Sequence, residues 1–147
     1  MFDAVTLKVQ RTTETAQLPV YASKGAACFD IHCDDLAKDI PPGQSVSFST
    51  GLKFEIPEGH VMLVFSRSGH GFKSGLRLVN SVGVIDSDYR GELGVKLHND
   101  SNSVYRTTDF ERVAQGMILK LPIVQMLDVA SLSETERGEG GFGSTGK

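Results

Sequence analysis

The residues best suited to chemistry lie between Asn80 and Glu92, in the stretch NSVGVIDSDYRGE. Val82, Val84 and Ile85 favour extended backbone, so the stretch is predicted to form two short strands joined by a tight turn. Its polar side chains are those of Asn80, Asp86, Asp88, Tyr89 and Arg90. Acidic residues often serve only to turn a chain, but a hairpin built for stability alone does not need so many polar groups. We therefore treat the stretch as a candidate site.

Candidate phosphate ligands occur in three other stretches: Arg67, Ser68 and Gly69; Arg112 and Gln115; and Arg137. The first group opens a glycine-containing run, GHGFK, where a helix N-terminus or a nest of backbone N–H groups could bind an anion. On its own, Arg67 would be interpreted as half of a surface ion pair. Together, the three stretches could converge on a polyphosphate. Two acids, Asp30 and Asp86, could then divide the tasks of holding a metal ion and activating water.

The elements that must position these residues are predicted to be strands. Apolar residues alternate with polar ones in short runs, at residues 5–9, 46–48, 52–56, 61–65 and 93–97, each bounded by Gly, Pro, Asn or Asp. Many short strands at this spacing indicate an all-β sandwich or barrel. Residues 110–117 show helical spacing but are interrupted by Gly116, so they are predicted to be a loop or short turn. They lead into a predicted strand, Ile118 to Val124, which is apolar on both faces and therefore covered on both, the second cover coming from this chain or from another subunit.

Length and composition indicate one domain, residues 1–136, followed by a flexible glycine-rich end, residues 137–147. The net charge of -3 and the pI near 5.8 argue against nucleic acid as a partner. No apolar run approaches the length of a membrane span, and the first residues lack the pattern of a signal peptide. We expect a soluble, cytoplasmic protein that binds neither nucleic acid nor membrane.

Two metal or phosphate motifs are considered and set aside. Cys28, Asp30 and His32 alternate and would share one face of a strand, but no fourth ligand or second cluster follows, which disfavours a zinc site. The terminal letters GFGSTGK match the spacing of a P-loop up to its Lys, but a P-loop needs a Ser or Thr next and a helix behind it. The arginine, aromatic and hydroxyl residues of this end are also typical of a lid that wraps phosphate.

Five stretches, in order, resemble the five motifs of the trimeric deoxyuridine triphosphatases (dUTP pyrophosphatases). They are AACFDI (residues 26–31), RSG (67–69), GVIDSDYRG (83–91, preceded by Asn80), RVAQ (112–115) and RGEGGFGSTG (137–146). The third and fifth are long and specific, and together the motifs span nearly the whole chain. One position departs from the family pattern: Cys28 stands where the family usually has glycine, two residues before Asp30.

The resemblance implies a distorted jelly-roll β-barrel that forms a homotrimer, with three sites at the subunit interfaces and a mobile C-terminal tail. It implies hydrolysis of dUTP to dUMP and pyrophosphate, with Mg²⁺ carried by the nucleotide. In a cell this reaction limits uracil incorporation into DNA and supplies dUMP for thymidylate synthesis. The alternatives kept open are a relative of dCTP deaminase, which would release ammonia from dCTP, and a trimeric binding or regulatory module without activity.

The resemblance also implies roles in the reaction. Asp86 is the expected general base for the attacking water, and Asp30 is expected to hold Mg²⁺ through water. The groups expected to hold phosphate oxygens are Arg67, Ser68, Gly69, Gln115 and, at the γ-phosphate, Arg137.

Base and sugar recognition is expected from the third and fifth motifs. The uracil edge would be read by groups near Asn80, Val84, Ile85 and Gly94. Tyr89 would pack on the sugar and exclude a 2′-hydroxyl. Phe142 would stack on the uracil, with Gly143 and Ser144 completing the closed lid.

Overall fold

The computed structural model describes residues 4–143, and most of their regular structure is β-strand. The strands are β1 (Lys8–Arg11), β2 (Phe29–His32), β3 (Asp39–Ile40), β4 (Ser45–Glu55), β5 (His60–Phe65), β6 (Leu76–Leu78), β7 (Val82–Ile85), β8 (Glu92–Asn99), β9 (Tyr105–Arg106) and β10 (Arg112–Lys120). One short helix in this part of the chain, α1 (Ser68–Ser74), lies between β5 and β6. None of the described residues belongs to a helix long and apolar enough to cross a membrane.

Within residues 4–143 the strands form two four-stranded antiparallel sheets, ordered β1-β4-β8-β6 and β2-β10-β5-β7, and a small sheet of β3 and β9. Side chains alternate along the longer strands, as a two-residue period requires: on β8, Leu93, Val95 and Leu97 are buried and the residues between them are less so. Buried side chains of both large sheets form one apolar cluster, so the core lies between the sheets. The expectation of an all-β fold is confirmed.

Strand β4 continues through Gly51, which the sequence pattern had suggested as a strand boundary. Gly51 adopts a φ of +63°, and a Cβ there would lie 2.7 Å from the Ala16 Cβ and 2.9 Å from Asp34 Oδ2. Only glycine combines this backbone conformation with such a close approach. The register with β8 shifts at this point, between Ser49 and Lys53, so glycine lets β4 bend without ending.

The predicted hairpin over residues 80–92 is wrong, because β7 and β8 belong to different sheets. Val84 lies opposite Leu63 of β5, whereas Gly94 lies opposite Ser49 of β4. Each strand therefore pairs with a strand that is remote in sequence. The turn residues 86–91 therefore connect two sheets rather than two paired strands.

The predicted boundaries over residues 110–124 are also wrong. Strand β10 begins at Arg112 and ends at Lys120, so the fourth motif lies inside the strand and not in a preceding loop. Gly116, which suggested an interruption, is required because a Cβ there would lie 2.7 Å from the ring of Phe29. The strand ends before Pro122, which has no N–H to donate to a ladder. Residues 121–124 are exposed, so within the described chain neither of their faces is covered.

Candidate active site

Side chains of the first, second and fourth motifs meet where β2 and β10 adjoin the segment that follows β5. Arg67 Nε lies 3.5 Å from Asp30 Oδ1, and Arg112 Nη1 donates to Asp30 Oδ2 at 3.1 Å. Arg67 Nη1 also donates to the carbonyl of Arg112 at 3.2 Å. The register of β10 places Gln115 between Asp30 of β2 and Phe65 of β5. We call Asp30, Arg67, Arg112 and Gln115 the basic cluster, since its two guanidinium groups outnumber its one carboxylate.

The turn that leads from β5 into α1 is held from two sides. Gln115 Nε2 donates to the carbonyl of Ser66 at 3.0 Å, and the Ser66 hydroxyl accepts from the N–H of Leu78 at 2.8 Å. Beyond this turn, Ser68 and Gly69 are exposed at the beginning of α1. Their backbone and hydroxyl groups are therefore open to a ligand beside the basic cluster.

A buried polar network adjoins the basic cluster. His70 is only 5% exposed, and its Nε2 atom lies 2.7 Å from Glu111 Oε1. The same Glu111 oxygen accepts a hydrogen bond from the Tyr105 hydroxyl at 2.7 Å. The other Glu111 oxygen accepts from the N–H of Thr108 at 2.7 Å. No role was assigned to His70 from the sequence. No local signal could reveal its partner, since 41 positions separate His70 from Glu111.

The network sets the charge states of its members. Burial raises the pKa of Glu111, but hydrogen bonds from Tyr105, Thr108 and His70 outweigh this and leave it below its ordinary value. Burial lowers the pKa of His70, the bond to Glu111 opposes the shift in part, and the neighbouring arginines add to it. Burial and Glu111 raise the pKa of Tyr105 to about 12. A neutral His70 donating from Nε2 to an ionised Glu111 is therefore the state near neutral pH.

This charge state predicts a loss of stability in mild acid. Below the ordinary histidine pKa of 6.5, the unfolded chain takes up a proton that the buried His70 resists, so the folded state loses stability as the pH falls. We expect the Tm to fall between about pH 7.5 and about pH 5.5, and to fall less in a His70→Leu variant. Calorimetry at both pH values measures this difference. Burial also lowers the pKa of His32, so part of the fall in Tm is expected in both proteins. An equal fall in Tm in the wild type and in His70→Leu would contradict the role given to His70.

The third motif lines two adjoining cavities between β7 and β8. One, of about 220 Å³, is bordered by Asn80 and Gly83; the other, of about 210 Å³, by Asp86 and Tyr89. The residues common to both linings are Ile85, Leu93 and Gly94. β7 is an edge strand, and β6 pairs with β8 only at residues 97–99. Backbone groups that neither sheet uses can therefore face these cavities.

The turn beside the second cavity holds Tyr89 against backbone. Its hydroxyl donates to the carbonyl of Glu92 at 3.0 Å, and its N–H donates to the carbonyl of Asp86 at 3.2 Å. A Cβ at Gly91 would lie 2.3 Å from the Tyr89 hydroxyl oxygen, so only glycine leaves room for the ring. Asp86 is exposed, where it can meet a ligand in the adjacent cavity.

The predicted site residues fall into three groups: the basic cluster with the beginning of α1, the third motif, and the chain end from Arg137. Within residues 4–143, no hydrogen bond or ion pair links the basic cluster to Asp86. Arg137 Nε donates to the carbonyl of Gly140 at 2.7 Å, within its own motif. Phe142 and Gly143 are exposed, and Ser144 lies outside the described residues.

An exposed arm and an apolar groove occur on the same chain. Residues 121–143, which we call the arm, follow β10, and every residue from 119 to 139 is exposed. Large apolar side chains are exposed along the arm: Ile123, Val124, Met126, Leu127 and Leu132. A groove of about 570 Å³ lies elsewhere, lined mainly by apolar residues that include Val5, Leu7, Leu18, Tyr21, Phe29 and Met117. Exposed apolar surface of this extent is typical of an interface.

Residues 4–143 contain no group of three or more His, Cys, Asp or Glu side chains that could hold a metal ion. Asp30 and His32 share the less buried face of β2, and Cys28, just before the strand, is also partly buried. Burial and the nearby Asp30 raise the pKa of the Cys28 thiol, which disfavours the thiolate form that metals bind. A lone carboxylate such as Asp30 suits an ion that brings most of its ligands as water and phosphate.

The sequence profile of the dUTPase family matches residues 14–146. The chain is 44% identical over 142 residues to the deoxyuridine 5'-triphosphate nucleotidohydrolase of Nautilia profundicola, covering 96% of this chain and 99% of that protein. It is 40% identical over 141 residues to the enzyme of the same name from Wolinella succinogenes, covering 96% of this chain and 94% of that protein. The dUTPase of Staphylococcus bacteriophage 80alpha, solved with dUPNHPP, superposes with a TM-score of 0.87 at 29% identity, covering 97% of this chain and 99% of that one.

Proposed function

Because the chain belongs to the dUTPase family, it hydrolyses dUTP to dUMP and pyrophosphate, and we propose how its residues divide that task. The cavities between β7 and β8 bind the deoxyuridine, the basic cluster binds the triphosphate, and Asp86 activates water. The observation that carries this assignment is the position of Asp86 and Tyr89 at a cavity that shares Ile85, Leu93 and Gly94 with the one beside Asn80.

Uracil is read in the cavity by backbone groups. The free edge of β7 and the stretch of β8 near Gly94 border one space, so a planar base between them can bond to both as a neighbouring strand would. Asn80, Val84 and Ile85 complete the edge that is read. Cytosine exchanges a donor for an acceptor at its exocyclic group and leaves buried partners unpaired, which a polar site rejects strongly.

Asp86 and Tyr89 act on the sugar and the α-phosphate. Tyr89, fixed by the carbonyl of Glu92, packs against the deoxyribose and leaves no space for a 2′-hydroxyl. Asp86 takes a proton from the water that attacks the α-phosphorus. Phe142 stacks on the uracil when the lid from Arg137 closes, and the closed lid excludes bulk water from Asp86.

The basic cluster receives the charged half of the substrate. Gln115, Ser68 and the N–H groups of residues 67–69 hold phosphate oxygens as charge moves to the leaving pyrophosphate. Arg137 binds the γ-phosphate through its planar guanidinium, with Gly143 and Ser144 closing around it. Asp30 is the residue that would hold Mg²⁺, and the ion would supply positive charge to neutralise the phosphate oxygens.

The three groups of site residues meet when three chains associate. We propose a homotrimer of distorted jelly-roll subunits, with sites at the interfaces and arms that cross between neighbours. Two observations support this: the arm exposes apolar side chains such as Ile123 and Met126, and the chain carries an apolar groove of about 570 Å³. Covering the arm with another subunit removes apolar surface from water.

Substrate choice tests the assignment of the cavities. We expect pyrophosphate release from dUTP to be strongly preferred over release from dTTP, dCTP and UTP. dCTP is expected to be rejected because backbone groups read the base edge, and dTTP because the backbone lies close to the base. UTP is expected to be rejected because Tyr89 leaves no space for its 2′-hydroxyl. A single assay of pyrophosphate release across the four nucleotides measures all three. Comparable cleavage of UTP would remove the role given to Tyr89.

A further inference from the structure

Helix α1 is too weak to hold its own position. It has seven residues, two of them Gly69 and Gly71, and no side chain caps its beginning at Arg67. A helix this short does not form alone in water, and glycine disfavours the helical state further. Its position must therefore come from contacts with the sheets. Yet α1 carries Ser68 and Gly69 at its first turn, where the phosphate chain is expected to bind.

The contact that anchors α1 is His70, its one buried residue. The imidazole bonds to Glu111 at 2.7 Å and lies edge-on to the ring of Tyr105, with centroids 5.7 Å apart. The backbone of Glu111 is itself fixed, since its carbonyl accepts from the N–H of Cys33 at 2.8 Å. Glu111 immediately precedes Arg112, so the link ties α1 to the first residue of β10.

We propose that His70 is a positioning residue: through Glu111 it holds the beginning of α1 in register with Arg112 and Asp30, and so preorganises the site for the triphosphate. The inference rests on the proposed function of the basic cluster. It assigns His70 no contact with substrate. Two further hydrogen bonds join the turn before α1 to β10: Arg67 to the carbonyl of Arg112 at 3.2 Å, and Gln115 to the carbonyl of Ser66 at 3.0 Å.

A core role and a positioning role differ in which ligand they affect. If His70 only fills space, its replacement lowers stability and leaves the relative affinities for mono- and triphosphate unchanged. If it positions α1, the triphosphate loses affinity and dUMP, which lies mostly at the cavities between β7 and β8, does not. The non-hydrolysable dUPNHPP and dUMP are the probes, titrated by calorimetry with Mg²⁺ on the full chain.

The decisive variant is His70→Leu, which keeps an apolar side chain in the buried position and removes the bond to Glu111. We expect its affinity for dUPNHPP to fall at least about tenfold, as misplacement of binding groups does, while its affinity for dUMP stays within about twofold of the wild type. His70→Gln, which can still donate to Glu111, should recover most of the loss. Phe54→Leu is the matched control: it shrinks a core side chain on β4, opposite Val9 of β1, and should lower the Tm without changing the ratio of the two affinities.

Equal affinities in His70→Leu and wild type, or equal losses for both ligands, overturn the inference. If His70→Leu does not fold, Tyr105→Phe removes one bond to Glu111 with little change in shape, and the same selective loss is expected at smaller size; its absence likewise overturns the inference. The proposed function is judged separately on the wild type. A wild type that fails to bind dUPNHPP contradicts that function before any variant is measured.

Discussion

Replacing Asp86 with asparagine is expected to lower the turnover of dUTP by at least about 10²-fold, which is a typical share for general base catalysis. Asparagine keeps the size and shape of the side chain at the rim of the cavity but cannot accept a proton from water at neutral pH. Nucleotide affinity should be largely kept, because the cavities and the basic cluster are unchanged. Steady-state turnover together with titration of dUPNHPP separates the two quantities.

The neighbouring acid supplies the control for this experiment. Asp88 lies in the same turn and is also exposed, so Asp88→Asn makes the same change of charge two positions away. We expect Asp88→Asn to keep most of the turnover. If Asp86→Asn turns over dUTP as fast as the wild type, Asp86 is only a turn residue and the proposed mechanism fails.

Two inactive proteins are expected to restore activity when they share a trimer. One carries Asp86→Asn, and the other lacks residues 137–147. Deletion of that end should leave the assembly folded, because its described residues contribute no strand, helix or core side chain. It should abolish most activity, because Arg137 and Phe142 are lost. After the two are unfolded, mixed and refolded, the intact end of one chain can close over the intact Asp86 of another.

The expected yield follows from symmetry. In an equal mixture, about a quarter of the sites receive both an intact Asp86 and an intact end if the two come from different chains, since each is drawn from half of the subunits. If both come from the same chain, no site receives both. Hybrid trimers are verified by a size or charge tag on one parent, and each parent refolded alone gives the background. Hybrids that form and remain as inactive as the parents would show that the end of each chain, residues 137–147, completes the site of its own subunit.

The sequence predicted the strands of this fold better than their partners. Alternation along residues 93–97 reports that one side of β8 is buried, because the period of two is a property of the strand itself. It does not report which strand lies beside it. Val84 pairs with Leu63, and Gly94 with Ser49, so proximity in sequence suggested a hairpin where the chain changes sheets. Strand β10 was misplaced because Gly116, a breaker by local rules, is present to admit the ring of Phe29.

In the candidate site, too, the sequence predicted individual residues better than their partners. The motifs identify Asp30, Arg67 and Arg112, and the structure brings these three together. They do not identify His70, since a lone histidine has no distinguishing neighbours in sequence and its partner Glu111 lies 41 positions away, just before β10. The number of chains that build one site was predicted only through the family resemblance. Within residues 4–143, no hydrogen bond or ion pair links the basic cluster to Asp86 or to Arg137.

The fit between Tyr89 and Gly91 has an evolutionary consequence. Since a Cβ at residue 91 would overlap the tyrosine, at 2.5 Å from its Cζ atom, the two positions are epistatic. An alanine at position 91 is harmful while Tyr89 is present and becomes tolerable only after a smaller side chain has replaced the tyrosine. On the role proposed for Tyr89, a lineage that relaxes its choice of sugar would alter position 89 before position 91. A side chain gained later at residue 91 would occupy the place of the ring, so a single reversion to tyrosine would not restore the same fit.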